Sequence, residues 1–418
     1  MISRQDILDR AGEWQLRPDV VEKDYVLGWL LAVLAKHPIT STKWTFKGGT
    51  CLKKCFFETY RFSEDLDFTL DTDAPYTDAA IRGTLQEIAR SVAELSGVYA
   101  PEDEVRVEAI MGPGERLTFQ GRIYYRGPLQ RGGDLARVLF DLTRLETIVS
   151  PAVLREVFHP YPDALPAGAT VRTYSLDEVL AEKTRALYER TRPRDLYDVV
   201  YILENHGQQL NLDEARTFFR AKCVHKRLDP PNTDALIERI QTAHELRSEW
   251  ANMLGHQLPT LPPIDAMLER ARLSDVLGWL DAPVVMAEVQ LAAPSSRGDE
   301  EIIAPVGIRY WGAGSVFEKL RFAGGNRLLV EFDYDGRRRH VEPYSLRRAR
   351  TGRILFYGWE RDDRTIKSYN VTRILNLTVT STAFVPKYRV ELSTTEPLRT
   401  PLARRSLVRP RATRRYGR

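Results

Sequence analysis

The sequence predicts an α+β catalytic core extended by a helical segment and followed by a separate small β domain. Three observations carry that reading. Helix-like and strand-like stretches alternate through the first 205 residues, the pattern from Leu176 to Leu280 is helical almost throughout, and short strand-like runs resume beyond residue 305. At 418 residues the chain is also longer than one core usually organises, so more than one domain is expected.

Taken in order, Val20 to Ala35 has apolar residues at helical spacing, and Trp44-Thr45-Phe46 reads as a short strand that breaks at Gly48-Gly49. A helix over about Thr50 to Glu58 leads to a strand at Leu66 to Leu70. A second helix, Thr77 to Ser96, precedes strands at Val105 to Ile110, Leu117 to Tyr125 and Arg137 to Leu142. Residues 1–205 therefore form the core, and 206–282 a helical segment of the same unit. Residues 283–304, which include Ala-Ala-Pro-Ser-Ser-Arg-Gly-Asp, read as a linker.

Residues 305–395 are expected to form a small barrel or curled sheet. Its strands are Arg327 to Asp333, Ile354 to Trp359, Ile366 to Tyr369, Ile374 to Thr380 and Tyr388 to Leu392, with turns at Asp335-Gly336 and Thr351-Gly352. Residues 396–418 read as a basic, disordered tail, because Arg399 to Arg418 hold eight arginines and no acid.

The net charge of +4 is unevenly spread. From residue 301 onward 25 Lys and Arg face 11 Asp and Glu, so an acidic body carries a basic end suited to a phosphate-rich partner. Apolar content of 43% and charged content of 28% fit a globular protein, and no apolar run approaches a bilayer span. With no secretory pattern at Met1 to Asp6, the cytoplasm is the expected location and no membrane partner is expected. Cys51, Cys55 and Cys223 complete neither a zinc pattern nor an even set, so reduced thiols are expected.

The chemistry centres on Phe46-Lys47-Gly48-Gly49-Thr50 followed, after fifteen residues, by Asp65-Leu66-Asp67-Phe68. Side chains alternate along a strand, so Asp65 and Asp67 share a face while Leu66 and Phe68 turn to the core. Paired carboxylates on a rigid strand suit Mg²⁺ (or Mn²⁺), which keeps few protein ligands and shares the rest with water and phosphate. Gly48 and Gly49 just ahead of a helix let backbone amides approach a phosphate. The combination describes an NTP held beside a metal. Asp141, in the apolar strand Ala136 to Leu142, is the candidate third metal ligand and proton acceptor, with a salt-bridged structural aspartate as the competing reading.

Glu182-Lys183 and Arg194-Asp195-Leu196-Tyr197-Asp198 fall on two amphipathic helices, with Asp195 and Asp198 on one face. Lys183 could reach triphosphate oxygens, or Lys183 and Arg194 could instead join these aspartates in a salt-bridge network between helices.

These residues resemble a known family. Glu22-Lys23-Asp24-Tyr25, Phe46 to Thr50, Arg61-Phe62-Ser63-Glu64-Asp65-Leu66-Asp67-Phe68, and Glu182-Lys183 with Pro193 to Asp198 are similar to the AbiEii/AbiGii toxins, members of the DNA polymerase β-like nucleotidyltransferases. The resemblance spans roughly residues 15–280. It implies a toxin of an abortive-infection or toxin–antitoxin phage-defence system that adds nucleotides to RNA, with tRNA acceptor ends as the substrate class. It also implies a cognate antitoxin with a DNA-binding domain. By position Asp65 and Asp67 would bind metal, Lys183 the nucleotide, and Asp195 or Asp198 would be the essential acid. Lys47, Gly48, Gly49 and Thr50 would lie near the triphosphate, and Ser63 beside the metal ligands. Transfer to a protein hydroxyl is a second reading within the enzyme class.

Further on, Val341 to Arg348, Leu355 to Trp359, Arg364 to Tyr369, Thr372-Arg373-Ile374 and Phe384-Val385-Pro386 resemble a WYL domain, although the Trp-Tyr-Leu triplet itself is absent. WYL domains are small Sm-like barrels that bind nucleic acid or nucleotide ligands, so a ligand-sensing regulator is a third reading. Arg347, Arg348, Arg364 and Arg373 are the candidate phosphate contacts, with Tyr344 and Tyr369 for base stacking. The chain is expected to be a monomer.

Overall fold

Helix α2 (Pro18–Leu34) begins with Pro18 in its first turn and is buried on almost every side, as a helix apolar all round must be. Ahead of it α1 (Arg4–Trp14), not anticipated from the sequence, starts in a capping box between Ser3 and Asp6. The computed structural model describes residues 1–112, 116–130, 132–272, 274–281, 301–302, 314–349 and 351–392.

A short α3 (Thr40–Lys43) leads into β1 (Trp44–Lys47). The helix expected at Thr50 to Glu58 is instead one α-helical turn, α4 (Gly48–Cys51), widening into a π-helical turn at Leu52–Phe56. The extra residue in that turn sits beside a candidate site, where such turns concentrate. Strand β2 (Leu66–Leu70) and helix α5 (Asp78–Ser96), capped by Thr77 and ended at Gly97 with φ 74°, match the sequence reading. The remaining strands are β3 (Arg106–Gly112), β4 (Arg116–Tyr125), β5 (Ala136–Thr143), β6 (Val153–Glu156) and β7 (Thr170–Thr173). They join in one seven-stranded sheet ordered β3-β4-β5-β2-β1-β7-β6. β2 runs parallel to β5 and β1 parallel to β7, while the other pairs are antiparallel.

Helices α6 (Leu176–Arg190) and α7 (Pro193–His206) turn on Thr191, held at φ 48°, with Pro193 opening the second helix. Then come α8 (Leu212–His225), α9 (Thr233–Thr242), α10 (His244–Ser248), α11 (Trp250–Leu254), α12 (Ile264–Arg272) and α13 (Ser274–Leu277). One continuous apolar core runs from Ile2 to Leu280 and also takes in Phe322 and Leu328. The first 205 residues and the helical segment are therefore one packing unit, and the C-terminal part is docked on it.

Among its described residues that C-terminal part comprises α14 (Gly314–Gly325) and six strands, β8 (Glu301–Ile302), β9 (Leu328–Tyr334), β10 (Arg337–Arg348), β11 (Ile354–Glu360), β12 (Thr365–Asn370) and β13 (Leu375–Ala383). The order is β12-β11-β10-β9-β13, with β8 on β10. β12 and β13 end the sheet unpaired with each other, so among the described residues it stays an open antiparallel sheet and no closed barrel forms. Register shifts between Leu375 and Thr378 and between Val379 and Ala383 interrupt pairing along β13. Tyr388 to Leu392 is a loop after Pro386, held where the Glu391 amide donates to the Tyr344 carbonyl at 2.7 Å. The expected linker lies outside the described residues except Glu301–Ile302, which pair with Arg348 and Arg347. The expected disordered tail lies outside them entirely.

Candidate functional site

The strand register assembles the site. On β1 and β2 Lys47 lies opposite Asp67, and on β2 and β5 Asp67 lies opposite Asp141. Directly paired residues point to the same side of a sheet, so one ammonium and two carboxylates form a row across three adjacent strands. Gln120 of β4 extends the row, its Nε2 donating to Asp141 Oδ1 at 3.2 Å. Asp65, two residues before Asp67, comes just ahead of β2 and adds its charge to the same place.

Gly48 closes the row from above. It has φ 80°, and a Cβ there would stand 2.2 Å from Asp67 Oδ2, so glycine is required by conformation and by space. At Gly49 a Cβ would meet Arg61 Nη2 at 2.4 Å and Ser63 Oγ at 3.1 Å. Thr50 spends its hydroxyl on the Asp65 carbonyl at 2.5 Å. It ties the glycine turn to the aspartate segment instead of offering a donor to phosphate.

Helices α6 and α8 form the opposite wall. Lys47 Nζ meets Glu182 Oε1 at 3.2 Å, and Glu182 Oε2 meets Lys222 Nζ at 3.3 Å. Lys222 is itself anchored on Glu178 at 2.9 Å and on the Thr147 carbonyl at 2.9 Å. Burial opposes the Lys47 ammonium, but Glu182, Glu146 and Asp67 outweigh it and hold its pKa above the usual lysine value. Lys47, Gly48, Asp67, Glu146, Glu182, Lys183, Arg185 and Arg190 line the resulting cleft.

Below the cleft Lys183 does what the competing reading proposed. Its Nζ lies 3.3 Å from Asp195 Oδ1 and 2.8 Å from Asp198 Oδ2, while still lining the cleft. Arg190 holds Asp195 through Nε at 2.8 Å, and Arg61 grips Asp198 through Nε at 2.6 Å and Nη2 at 2.7 Å. Tyr60 also donates to Asp198. Burial alone would raise the Asp198 carboxyl, but Arg61 and Lys183 overcome it and keep the group well below the usual carboxylate range. Arg194 takes no part in this network; its Nε donates to the Met253 carbonyl at 3.4 Å.

Asp67 and Asp65 behave oppositely. Burial pushes Asp67 up to about 7, and the charges of Asp141 and Asp65 reinforce the shift against Lys47 and Lys183. Asp65 is raised as well, first by burial. Among the described residues no three His, Cys, Asp or Glu side chains form a ready-made metal cage. The donor set nevertheless fits a divalent cation, because crowded carboxylates short of positive charge gain most from one. Magnesium in particular takes one or two carboxylates and completes its shell with water and phosphate.

Residues 29–270 match the family model described as nucleotidyl transferase AbiEii toxin, Type IV toxin–antitoxin system. The chain belongs to the AbiEii nucleotidyltransferase toxin family. Among solved structures it is similar to MenT4, a nucleotidyltransferase toxin from Mycobacterium tuberculosis H37Rv, at 21% identity and a TM-score of 0.45, covering 68% of this chain and 91% of that one. It is also similar to JHP933 from Helicobacter pylori, at 14% identity and a TM-score of 0.41, covering 64% and 95%. No curated protein matches. AbiEii membership implies an antitoxin partner, and nucleotidyltransferases of this kind use an NTP and divalent metals. No helix among the described residues is long and apolar enough to cross a membrane.

Within the AbiEii region, sequence reasoning did not identify Gln120, Glu146, Glu182, Arg190 or Lys222 as site residues. Glu182 stood beside Lys183 in the motif and Arg61 opened the Arg61 to Phe68 block. The others join only through strand register or helix packing. Glu64 pairs with Lys23 at 3.2 Å and His256 at 3.1 Å. In the C-terminal sheet the expected stacking residues are core: Tyr344 and Tyr369 are buried in its apolar cluster, and stacked bases cannot reach them. Arg347 is buried too, 3.3 Å from Glu391 and over the Tyr357 ring. Arg373 pairs with Asp335 at the surface, whereas Arg348 and Arg364 are exposed.

Proposed function

We propose that this toxin transfers a nucleoside monophosphate from an NTP to RNA, at the 3′ acceptor end of tRNA, by a two-metal carboxylate mechanism. The observation that carries the proposal is the register row of Lys47, Asp67 and Asp141, with Gly48 packed against Asp67. Asp65, Asp67 and Asp141 would hold divalent metal, which supplies charge neutralisation at the reacting phosphate. Lys47 and Lys183 bind the triphosphate as fixed cations, and Glu182 aims Lys47. The RNA hydroxyl oxygen bonds to the α-phosphorus, the bond to the β-phosphate oxygen breaks, pyrophosphate leaves, and the hydroxyl proton passes to Asp141. Arg348 and Arg364 of the WYL-like sheet contact RNA phosphate, consistent with the basic character of that end of the chain. The antitoxin, with its DNA-binding domain, acts in the same cytoplasmic system.

Incubation with total tRNA, Mg²⁺ and each α-labelled NTP, beside Asp67→Ala, tests this. Label entering tRNA from the wild type and not from the variant is the expected result. Label in a protein band instead selects transfer to a protein hydroxyl, and no label in either overturns the assignment.

A further inference from the structure

The turn between α14 and β9 belongs to the C-terminal part by sequence and to the catalytic unit by packing. Asn326 and Arg327 form it, 2% and 6% exposed. Phe322 and Leu328, on either side of them, sit in the catalytic core and not in the apolar cluster of the C-terminal sheet. The turn lies beyond residues 29–270, the stretch that the AbiEii family model matches, so that family's motifs give it no role.

Its contacts run along α7. The Tyr197 hydroxyl donates to Asn326 Oδ1 at 2.8 Å. Two turns further along the helix, Arg327 Nη1 donates to Asn205 Oδ1 at 2.8 Å and Nη2 to the Glu204 carbonyl at 3.2 Å. Asn205 Nδ2 answers with a bond to the Gly325 carbonyl at 3.1 Å. From α12, Arg270 joins the two sides, its Nη1 on the Asn326 carbonyl at 3.1 Å and its Nε on Glu204 Oε1 at 2.8 Å. The last carbonyls of a helix have no partner within it, and a cation there also meets the negative end of the helix dipole. Arg327 therefore clamps the C-terminal end of α7. Its own φ is 56°, a conformation that glycine reaches more easily and that other residues keep where surrounding contacts impose it.

α7 is the helix whose Asp195 and Asp198 hold Lys183 at the cleft. Arg61 fixes its first half through Asp198, and the turn fixes its second half. We propose that Asn326 and Arg327 are positioning residues for nucleotide transfer, holding α7 in the place from which Asp195 and Asp198 aim Lys183. The C-terminal part thereby completes the catalytic unit. The inference rests on the reading of Lys183 as a triphosphate contact.

The test is titration of a non-hydrolysable NTP analogue with Mg²⁺ into the full chain as wild type, Arg327→Met, Arg327→Lys and Phe356→Leu, with transfer kinetics and urea midpoints measured on each. Arg327→Met should weaken binding and raise KM by about threefold to tenfold with a much smaller change in kcat. Arg327→Lys should recover part of the loss. Phe356→Leu, whose ring packs on Phe332 and Tyr369 inside the sheet's own core, should lower the midpoint without changing affinity. Asn326→Ala and Tyr197→Phe should each weaken binding, and together no more than either alone. Wild-type affinity in Arg327→Met, or an equal loss in Phe356→Leu, overturns the proposal and leaves the role of Lys183 standing. Absence of binding by the wild type itself would overturn the reading of Lys183, and this inference with it.

Discussion

Asp67 and Asp198 are aspartates of one cleft region, yet their surroundings drive them in opposite directions. Asp198 receives two bonds from Arg61 and one from Lys183 and is held ionised. Asp67 faces Asp141 and Asp65 with Lys47 already committed to Glu182, and its carboxyl is pushed up to about 7. The α7 aspartates are charges already answered, so they build the helix floor. The strand aspartates are charges left open, as a site for cation and phosphate requires.

The largest expected effect separates the two by activity. Asp67→Asn should reduce nucleotide transfer by roughly a thousandfold or more while leaving the thermal midpoint unchanged or higher, since it removes an uncompensated charge. Loss of the fold in this variant would remove the distinction.

Asp198→Asn should act on stability first. Removing one partner of a buried pair leaves Arg61 and Lys183 uncompensated, at a cost of about 3–5 kcal/mol, read as a lower urea midpoint. The same contrast extends to pH. Asp198 and Glu182 both have depressed folded-state pKa values. Their stabilisation is present above the unfolded carboxylate value of about 4 and is lost as pH falls below it. Asp198→Asn should flatten that acid limb in unfolding curves taken between about pH 5 and pH 2.

A smaller effect sharpens the role of Lys222, which reaches the cleft only through Glu182 and Lys47. Lys222→Met should raise KM for the NTP roughly tenfold with a lesser change in kcat, and Lys222→Arg should restore most of it. Equal losses in kcat and KM for both variants would make Lys222 merely structural. The smallest effect belongs to the sheet: Arg348→Ala or Arg364→Ala should weaken RNA binding modestly and reduce its salt slope by about 1.

The contrast also marks how much the sequence disclosed. Asp65-Leu66-Asp67, with Gly48-Gly49 ahead of it, was legible because strand alternation and glycine conformation are local rules. The strand boundaries at Leu66–Leu70 followed from the same rules. Asp141 was singled out for its place among apolar residues, yet strand alternation leaves it exposed, and it is the parallel register with β2 that sets it opposite Asp67. What stayed hidden depends on tertiary contact. Lys222 lies on α8, far along the chain from Lys47, and no spacing connects them. The strands β6 and β7 are four residues each, too short for a period to show. In the C-terminal sheet, the pattern gave four of the strands, but tyrosines read as stacking platforms proved to be core, because one alternating pattern serves either face.

The central claim is that the open carboxylates on β2 and β5 are a metal and nucleotide site. The most direct test is calorimetric titration of a non-hydrolysable NTP analogue into wild type and Asp67→Asn, with Mg²⁺ and with chelator. The account predicts binding to the wild type only when Mg²⁺ is present and none to the variant. Equal binding in chelator, or undiminished binding by Asp67→Asn, would contradict it.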